Sequence, residues 1–174
     1  MEQATFSGGC FWCLQGPYEA EAGVSNVQVG YAGGSADDAH YERVASGRTQ
    51  HRESITMQYD PTVVRYEKLL EIFWKNIDPT DPGGQFADRG HQYTTAIITH
   101  TPEQHRLAEQ SKRQLSDSKK FVSPIATVIE PFVSFFPAEE EHQRYYKKRP
   151  LQYTMYKRGS GRADFIEQNW ASQG

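Results

Sequence analysis

The sequence predicts a mixed α/β fold, an α+β sandwich on a ferredoxin-like split βαβ core. Three observations predict it. Short alternating or wholly apolar runs recur at Ala4–Ser7, Asn26–Tyr31, Glu53–Tyr59 and Thr94–His100. Helical periodicity follows Phe11 and fills Tyr66–Ile77. The resulting order, strand–helix–strand–strand–helix–strand, is that of the split βαβ arrangement. At 174 residues the chain is expected to form a single catalytic domain over 1–174. Its core is placed at about 4–147, leaving a C-terminal tail over 148–174 that is irregular or wraps the core.

Each element has its own reason. Ala4–Ser7 leads to Gly8-Gly9, where a chain turns sharply or approaches another group closely. Phe11–Ala22 reads as helical except for Gly16-Pro17. Proline lacks the N–H that would reach the Cys13 carbonyl, so the helix starts near Pro17 or its first turns are distorted. Val27, Val29 and Tyr31 alternate with polar residues, and Ile55, Met57 and Tyr59 share one strand face. Two long loops, Ala32–Gln50 and Asp78–Tyr93, are long enough to suggest function. Both are expected to converge on the turn at Cys10. Tyr66, Leu69, Leu70, Phe73, Trp74 and Ile77 fall at helical spacing. Thr101-Pro102-Glu103-Gln104 opens a further helix to about Leu115 with a threonine cap, a first-turn proline and a capping-box glutamine. Ile125–Glu130 reads as a strand, Ala138–Lys147 as a short charged helix, and the chain from Pro150 onward as irregular.

Composition excludes several functions. Net charge is −3 with no basic block, which gives nucleic acid no purchase. No apolar run is long enough to span a membrane. Met1–Thr5 has neither a positive start nor an apolar stretch, so no signal peptide is expected and the expected location is cytoplasmic. Ten tyrosines make a phenol-lined pocket plausible, although most are expected to be packing residues.

The chemistry centres on Gly8-Gly9-Cys10-Phe11-Trp12-Cys13, which holds both cysteines of the chain. A thiol at a helix start feels the positive end of the helix dipole, which favours thiolate at Cys10. Taken alone, the C-x-x-C is a redox or nucleophilic pair, half of a zinc site, or two buried cysteines. Zinc would need two further ligands at close spacing, and His91, His100, His105 and His142 do not supply them, so no metal is expected. Glycines and a proline beside the cysteines suit a turn better than a core. A thiolate nucleophile needs an acid or base near it, and His51, Glu53, Asp88 and His91 stand at loop ends. Glu53 opens a strand, where a side chain is held most firmly.

Gly9-Cys10-Phe11-Trp12 resembles the signature of the A-type peptide methionine sulfoxide reductases. Further pieces are similar in order: Gly30-Tyr31-Ala32-Gly33-Gly34, Tyr41-Glu42-Arg43-Val44, His51 with Glu53, Tyr59-Asp60-Pro61, Asp78-Pro79-Thr80, Asp88-Arg89-Gly90, Gln92-Tyr93, and Pro137-Ala138-Glu139 with His142-Gln143. The resemblance implies reduction of methionine S-sulfoxide, free or in proteins, as protein repair under oxidative stress. It implies Cys10 as nucleophile, becoming a sulfenic acid, and Glu53 as the acid that protonates the sulfoxide oxygen. Tyr41 and Tyr93 would donate hydrogen bonds, Asp88 would hold the site together, and Phe11 and Trp12 would wall the S-methyl group. No cofactor is implied beyond an external reductant, thioredoxin or a dithiol, and a monomer is expected.

The acid must be neutral to act. At an ordinary pKa of about 4.3, only about 0.2% of a glutamate is protonated at pH 7, so a raised pKa is expected for Glu53. Many relatives place recycling cysteines in the tail, and this chain has none there. Cys13 is then the only thiol of the chain that can attack a Cys10 sulfenic acid, the alternative being direct attack by an external thiol. Arg52 is expected to point away from Glu53, since neighbouring strand residues face opposite sides. Gln15 stands where many relatives have Glu, and His91 where they have Thr or Asn. The segment Arg158–Arg162 has the composition of an anion-binding turn but reads as flexible tail. The rival readings are a general C-x-x-C thiol–disulfide oxidoreductase and a non-catalytic module that binds methionine-like side chains.

Overall fold

The computed structural model describes residues 1–170. Residues 171–174 of the predicted tail lie outside the described residues. β1 (Glu2–Gly8) runs into α1 (Trp12–Glu19), and β2 (Val24–Ala32) returns beside it. α2 (Tyr41–Ala45) interrupts the first long loop before β3 (Arg52–Tyr59) and α3 (Tyr66–Lys75). The second loop folds into a small hairpin, β4 (Gly84–Gln85) with β5 (Asp88–Arg89). Next come β6 (Thr95–Thr99), α4 (Pro102–Asp117), β7 (Val128–Pro131) and β8 (Phe135–Pro137). Three helices close the described chain: α5 (Tyr145–Lys148), α6 (Pro150–Ser160) and α7 (Arg162–Trp170).

The main sheet has the order β7-β6-β1-β3-β2-β8. Its central four, β6-β1-β3-β2, are antiparallel neighbours in the split βαβ order that the sequence predicts. β7 adds to one edge in parallel with β6, and β8 adds to the other antiparallel to β2. Strand alternation sorts the two faces. Ala4 and Phe6 of β1 and Ile55 and Met57 of β3 enter the main core with Leu14, Tyr18, Leu69, Leu70 and Phe73 from α1 and α3. Phe6 stacks on Tyr18 at 5.4 Å and on Phe73 at 5.2 Å. The opposite face carries small hydroxyls that satisfy one another: Ser7 with Ser54 at 2.7 Å and Thr5 with Thr56 at 3.1 Å. α3 meets α4 through Trp74, whose Nε1 donates to Ser111 Oγ.

Several local expectations change. Thr101 caps α4 by accepting from the Gln104 N–H, but the Gln104 amide oxygen accepts from His100 rather than closing a full capping box. The helix predicted over Ala138–Lys147 is broken into a 3-10 turn at Glu140–His142 and α5, with Arg144 left-handed at φ 54° between them. Gln143 accounts for the break. Its side chain accepts from the Val29 N–H and donates to the Val29 carbonyl, completing the edge of β2 just beyond β8. The strand predicted from Ile125 starts at Val128, and the Ala126 N–H turns to the Pro79 carbonyl.

The largest correction concerns the tail, which is helical. Pro150 occupies the first turn of α6, and Gly161, left-handed at φ 96°, ends it. Arg162 at the start of α7 is 1% exposed, so the turn read as flexible is a buried anchor.

Candidate active site

The site forms where β1 ends. Gly9 has φ +83°, and an added Cβ there would meet Gln85 Cβ at 2.6 Å and Arg162 Nη2 at 2.7 Å. Glycine is needed on both counts. Phe11 caps α1, and Cys13 sits in its first turn with its N–H directed to the Cys10 carbonyl at 3.2 Å. α1 begins at Trp12 and carries Pro17 within it, so the helix starts before the proline rather than at it.

Glu53 enters the same space from β3. It has the strand parity of Ile55, Met57 and Tyr59, so it points to the core face and is 2% exposed. Its Oε1 accepts the Phe11 N–H at 3.1 Å, which ties the carboxyl to the cysteine turn. Burial pushes the Glu53 pKa up to about 8. The Phe11 N–H opposes the rise, Asp88 and Cys13 add to it, and Arg162 opposes it weakly. Arg52 takes the other parity and leaves the site, donating to Thr94 Oγ1 at 2.8 Å and pairing with Glu130.

The two thiols are reduced, buried and close enough to share a proton. Burial, then the hydrogen bond with Cys13, pushes the Cys10 thiol well up, and nearby Glu53 adds to this. Cys13 is held down at about 6 by the Cys10 hydrogen bond, with Arg162, the Tyr153 hydroxyl and Lys157 also favouring its charge. Burial opposes charge on both thiols, the hydrogen bond between them shares a proton, and Arg162 and Lys157 of the tail favour negative charge on the pair.

Tyr41 and Tyr93 both face Glu53 and Cys10. Burial pushes Tyr41 up to about 12 and Tyr93 further, so both remain phenol donors at neutral pH. Glu139 sets Tyr41 by accepting its N–H at 3.1 Å and the Tyr31 hydroxyl at 2.7 Å. Phe11 is fully buried behind the site against Tyr31 and His142. Trp12 donates from Nε1 to His142 Nδ1 at 3.2 Å and stacks on Tyr145 at 4.0 Å. Asp88 accepts a hydrogen bond from Tyr156, and His91 lies apart, with its ring against the Gln50 carbonyl. Gln15 bridges the Val27 carbonyl and the Arg144 N–H, a task that needs an amide rather than a carboxylate.

Sequence reasoning missed the contribution of the tail. Tyr156 stands edge-on to Trp12 at 5.6 Å, and the Tyr153 hydroxyl faces Cys13. The available signal was Pro150 and Gly161 as a start and a stop for a helix between them. No group of His, Cys, Asp and Glu with metal-site geometry occurs among the described residues. No helix among them is long and apolar enough to cross a membrane.

Comparisons with known proteins give one answer. The family model described as peptide methionine sulfoxide reductase matches residues 2–174. The chain is 52% identical over 169 residues to peptide methionine sulfoxide reductase MsrA of Bacillus licheniformis, covering 97% of this chain and 93% of the relative. It is 49% identical over 173 residues to the protein of that name from Bacillus pumilus, covering 99% and 97%. Among solved structures it is similar to the reduced form of Mxr1 from Saccharomyces cerevisiae. That likeness has a TM-score of 0.81 and 31% identity, with 86% of each chain covered.

Proposed function

The chain belongs to the peptide methionine sulfoxide reductase family and reduces methionine sulfoxide to methionine, and we propose that Cys10, Glu53 and Cys13 carry the reaction as nucleophile, acid and resolving thiol. The observation that carries this reading is the 3.1 Å bond from the Phe11 N–H to the buried Glu53 carboxyl, which puts an acid beside the cysteine turn.

The reaction follows from the charges present. Glu53 enters it neutral because burial disfavours its ionised form. Cys10 passes its proton along the shared hydrogen bond to Cys13 as its sulfur attacks the sulfoxide sulfur. Glu53 delivers its proton to the sulfoxide oxygen, which makes the sulfur open to attack and neutralises the charge that would otherwise build up on the oxygen. Tyr41 and Tyr93 donate hydrogen bonds to that oxygen, and Trp12 receives the S-methyl group. The oxygen transfers to Cys10, giving the sulfenic acid, and methionine departs. Cys13 returns its proton to Glu53 and attacks Cys10 as thiolate. The S–O bond breaks, an S–S bond forms, and hydroxide leaves as water with the Glu53 proton. A dithiol reductant, thioredoxin, then opens the Cys10–Cys13 bridge by exchange.

Three fixed directions on one tetrahedral sulfur select one hand: oxygen to Glu53 and the phenols, methyl to Trp12, and attack from Cys10. Which hand is taken is carried over from the resemblance to the A-type peptide methionine sulfoxide reductases, which implies the S epimer, free or peptide-bound. The whole chain is read as one catalytic domain, because α6 and α7 supply groups to the site built by β1 and β3.

Glu53→Gln tests the acid, since it keeps a hydrogen-bond partner and removes the proton. Reduction of methionine S-sulfoxide with dithiothreitol is expected to fall about 10²- to 10⁴-fold, the usual worth of a positioned acid. Wild-type rates across neutral pH would sink the assignment.

A further inference from the structure

His142 lies in the site but takes no part in the reaction. It is 7% exposed, and its ring packs among three groups of the site: Tyr41 at 4.3 Å, Phe11 at 5.6 Å and Trp12 at 5.9 Å between ring centroids. The turn that carries it is pinned on both sides. Glu139 accepts the Tyr31 hydroxyl and the Tyr41 N–H, and Gln143 bonds the edge of β2 through the Val29 N–H and carbonyl. The ring therefore meets α1 and α2 from a fixed base.

Packing does not explain an imidazole here. Its Nε2 is buried with no hydrogen-bond partner among the described residues, and Glu141 Oε1 stands 3.8 Å away. A buried donor left unpaired costs about 1–3 kcal/mol, and a phenylalanine would fill the space without that cost. What imidazole adds is the lone pair on Nδ1. The indole nitrogen only donates, so the 3.2 Å bond from Trp12 Nε1 makes Nδ1 the acceptor and puts the ring proton on Nε2. From this geometry we propose that His142 is a positioning residue for the sulfoxide pocket, its bare Nδ1 holding the Trp12 indole as the methyl wall beside Tyr41.

Trp12 has need of such a hold. It opens α1 and is only half-buried, and a half-buried side chain has several rotamers open to it, among which one directed hydrogen bond selects. The same imidazole lies against Tyr41, so it spaces the wall for the methyl group from the donor to the oxygen. Burial keeps His142 below the ordinary histidine range, against the pull of Glu139 and Glu141 from its own turn. Tyr41 from α2 and Trp12 from α1 bring no charge to it, since Tyr41 remains a phenol. The neutral ring is the form that fits: protonation would set an Nδ1–H against the indole N–H.

This inference rests on Trp12 as the methyl wall, and the two can fail separately. Steady-state reduction of methionine S-sulfoxide with dithiothreitol reads both. Trp12→Ala with a wild-type KM overturns the wall. His142→Phe keeps a ring in the stack but loses the acceptor. Its KM is expected to rise about tenfold with kcat within about threefold, because a wall binds substrate and transition state alike. His142→Asn offers an amide oxygen near the Nδ1 position and is expected to bring KM back to within about threefold of wild type. A wild-type KM in His142→Phe, alongside a raised one in Trp12→Ala, overturns the proposal alone. So does an asparagine variant as impaired as the phenylalanine one. If His142→Phe fails to fold, imidazole nitrogen-15 shifts of the wild-type protein at pH 7 decide. A protonated Nε2 with a bare Nδ1 is expected, and a proton on Nδ1 overturns the proposal.

Discussion

The strand half of the site and the tail half are built by different means. Glu53 and the cysteine turn hang from neighbouring central strands, β3 and β1, where register fixes position and side-chain parity fixes burial. α5, α6 and α7 reach the same place through a few long side chains: Tyr145 on Trp12, Tyr156 on Asp88, Tyr153 on Cys13 and Arg162 on Gly8. The sheet thus sets which groups react. The tail sets how charged and how covered they are.

Substitutions in the strand half should cost most. Cys10→Ser is expected to abolish sulfoxide reduction, a loss of about a thousandfold or more in a single-turnover methionine assay. Glu53→Gln should come next in activity, and it should change stability in the opposite sense. Because the folded-state pKa of Glu53 is raised, the native protein holds this proton where the unfolded chain has lost it. Its stabilising contribution is complete below about 4.5 and lost as pH rises through about 8. Thermal melts should therefore show Glu53→Gln gaining on the wild type at pH 9 and not at pH 5. Wild-type turnover should decline across the same upper window as the acid ionises. A melting difference independent of pH would break the contrast between a charged and a neutral carboxyl.

Smaller effects should mark the tail and the margins. Gly9→Ala forces a side chain into a left-handed position against Gln85 and Arg162, and chemical denaturation should show a loss of about 2–3 kcal/mol. Tyr156→Phe removes one hydrogen bond of the cover, worth about 1 kcal/mol net. Alkylation of Cys10 by iodoacetamide should accelerate about fivefold, and an unchanged rate would mean that the phenol does not hold the cover. Arg52→Ala, on the far side of β3, should leave sulfoxide reduction within about twofold and cost about 1 kcal/mol or less in stability.

The strand half was also the legible half. β1, β2, β3, β6, α3 and α4 announce themselves through alternation, helical spacing and a capped start. Burial of Glu53 follows from sharing parity with Ile55, Met57 and Tyr59. α6 could not be read in this way because none of its residues is buried and its contacts are phenols turned toward a polar site. The cations that face the cysteine pair were hidden for a related reason, since Arg162 and Lys157 come from the far end of the chain. β8 has three residues, too few for a period, and the break at Gln143 depends on an edge of β2 that exists only once the sheet has formed.

The stack on Trp12 gives the molecule an optical handle. Of its three tryptophans, Trp74 is bound to Ser111 in the α3–α4 contact and Trp170 lies beneath Lys120. Trp12 alone rests between the imidazole of His142 and the ring of Tyr145 at the reacting thiols. With the other two changed to phenylalanine, a single emission band would follow the uncovering of the site in real time, without a label attached near the chemistry.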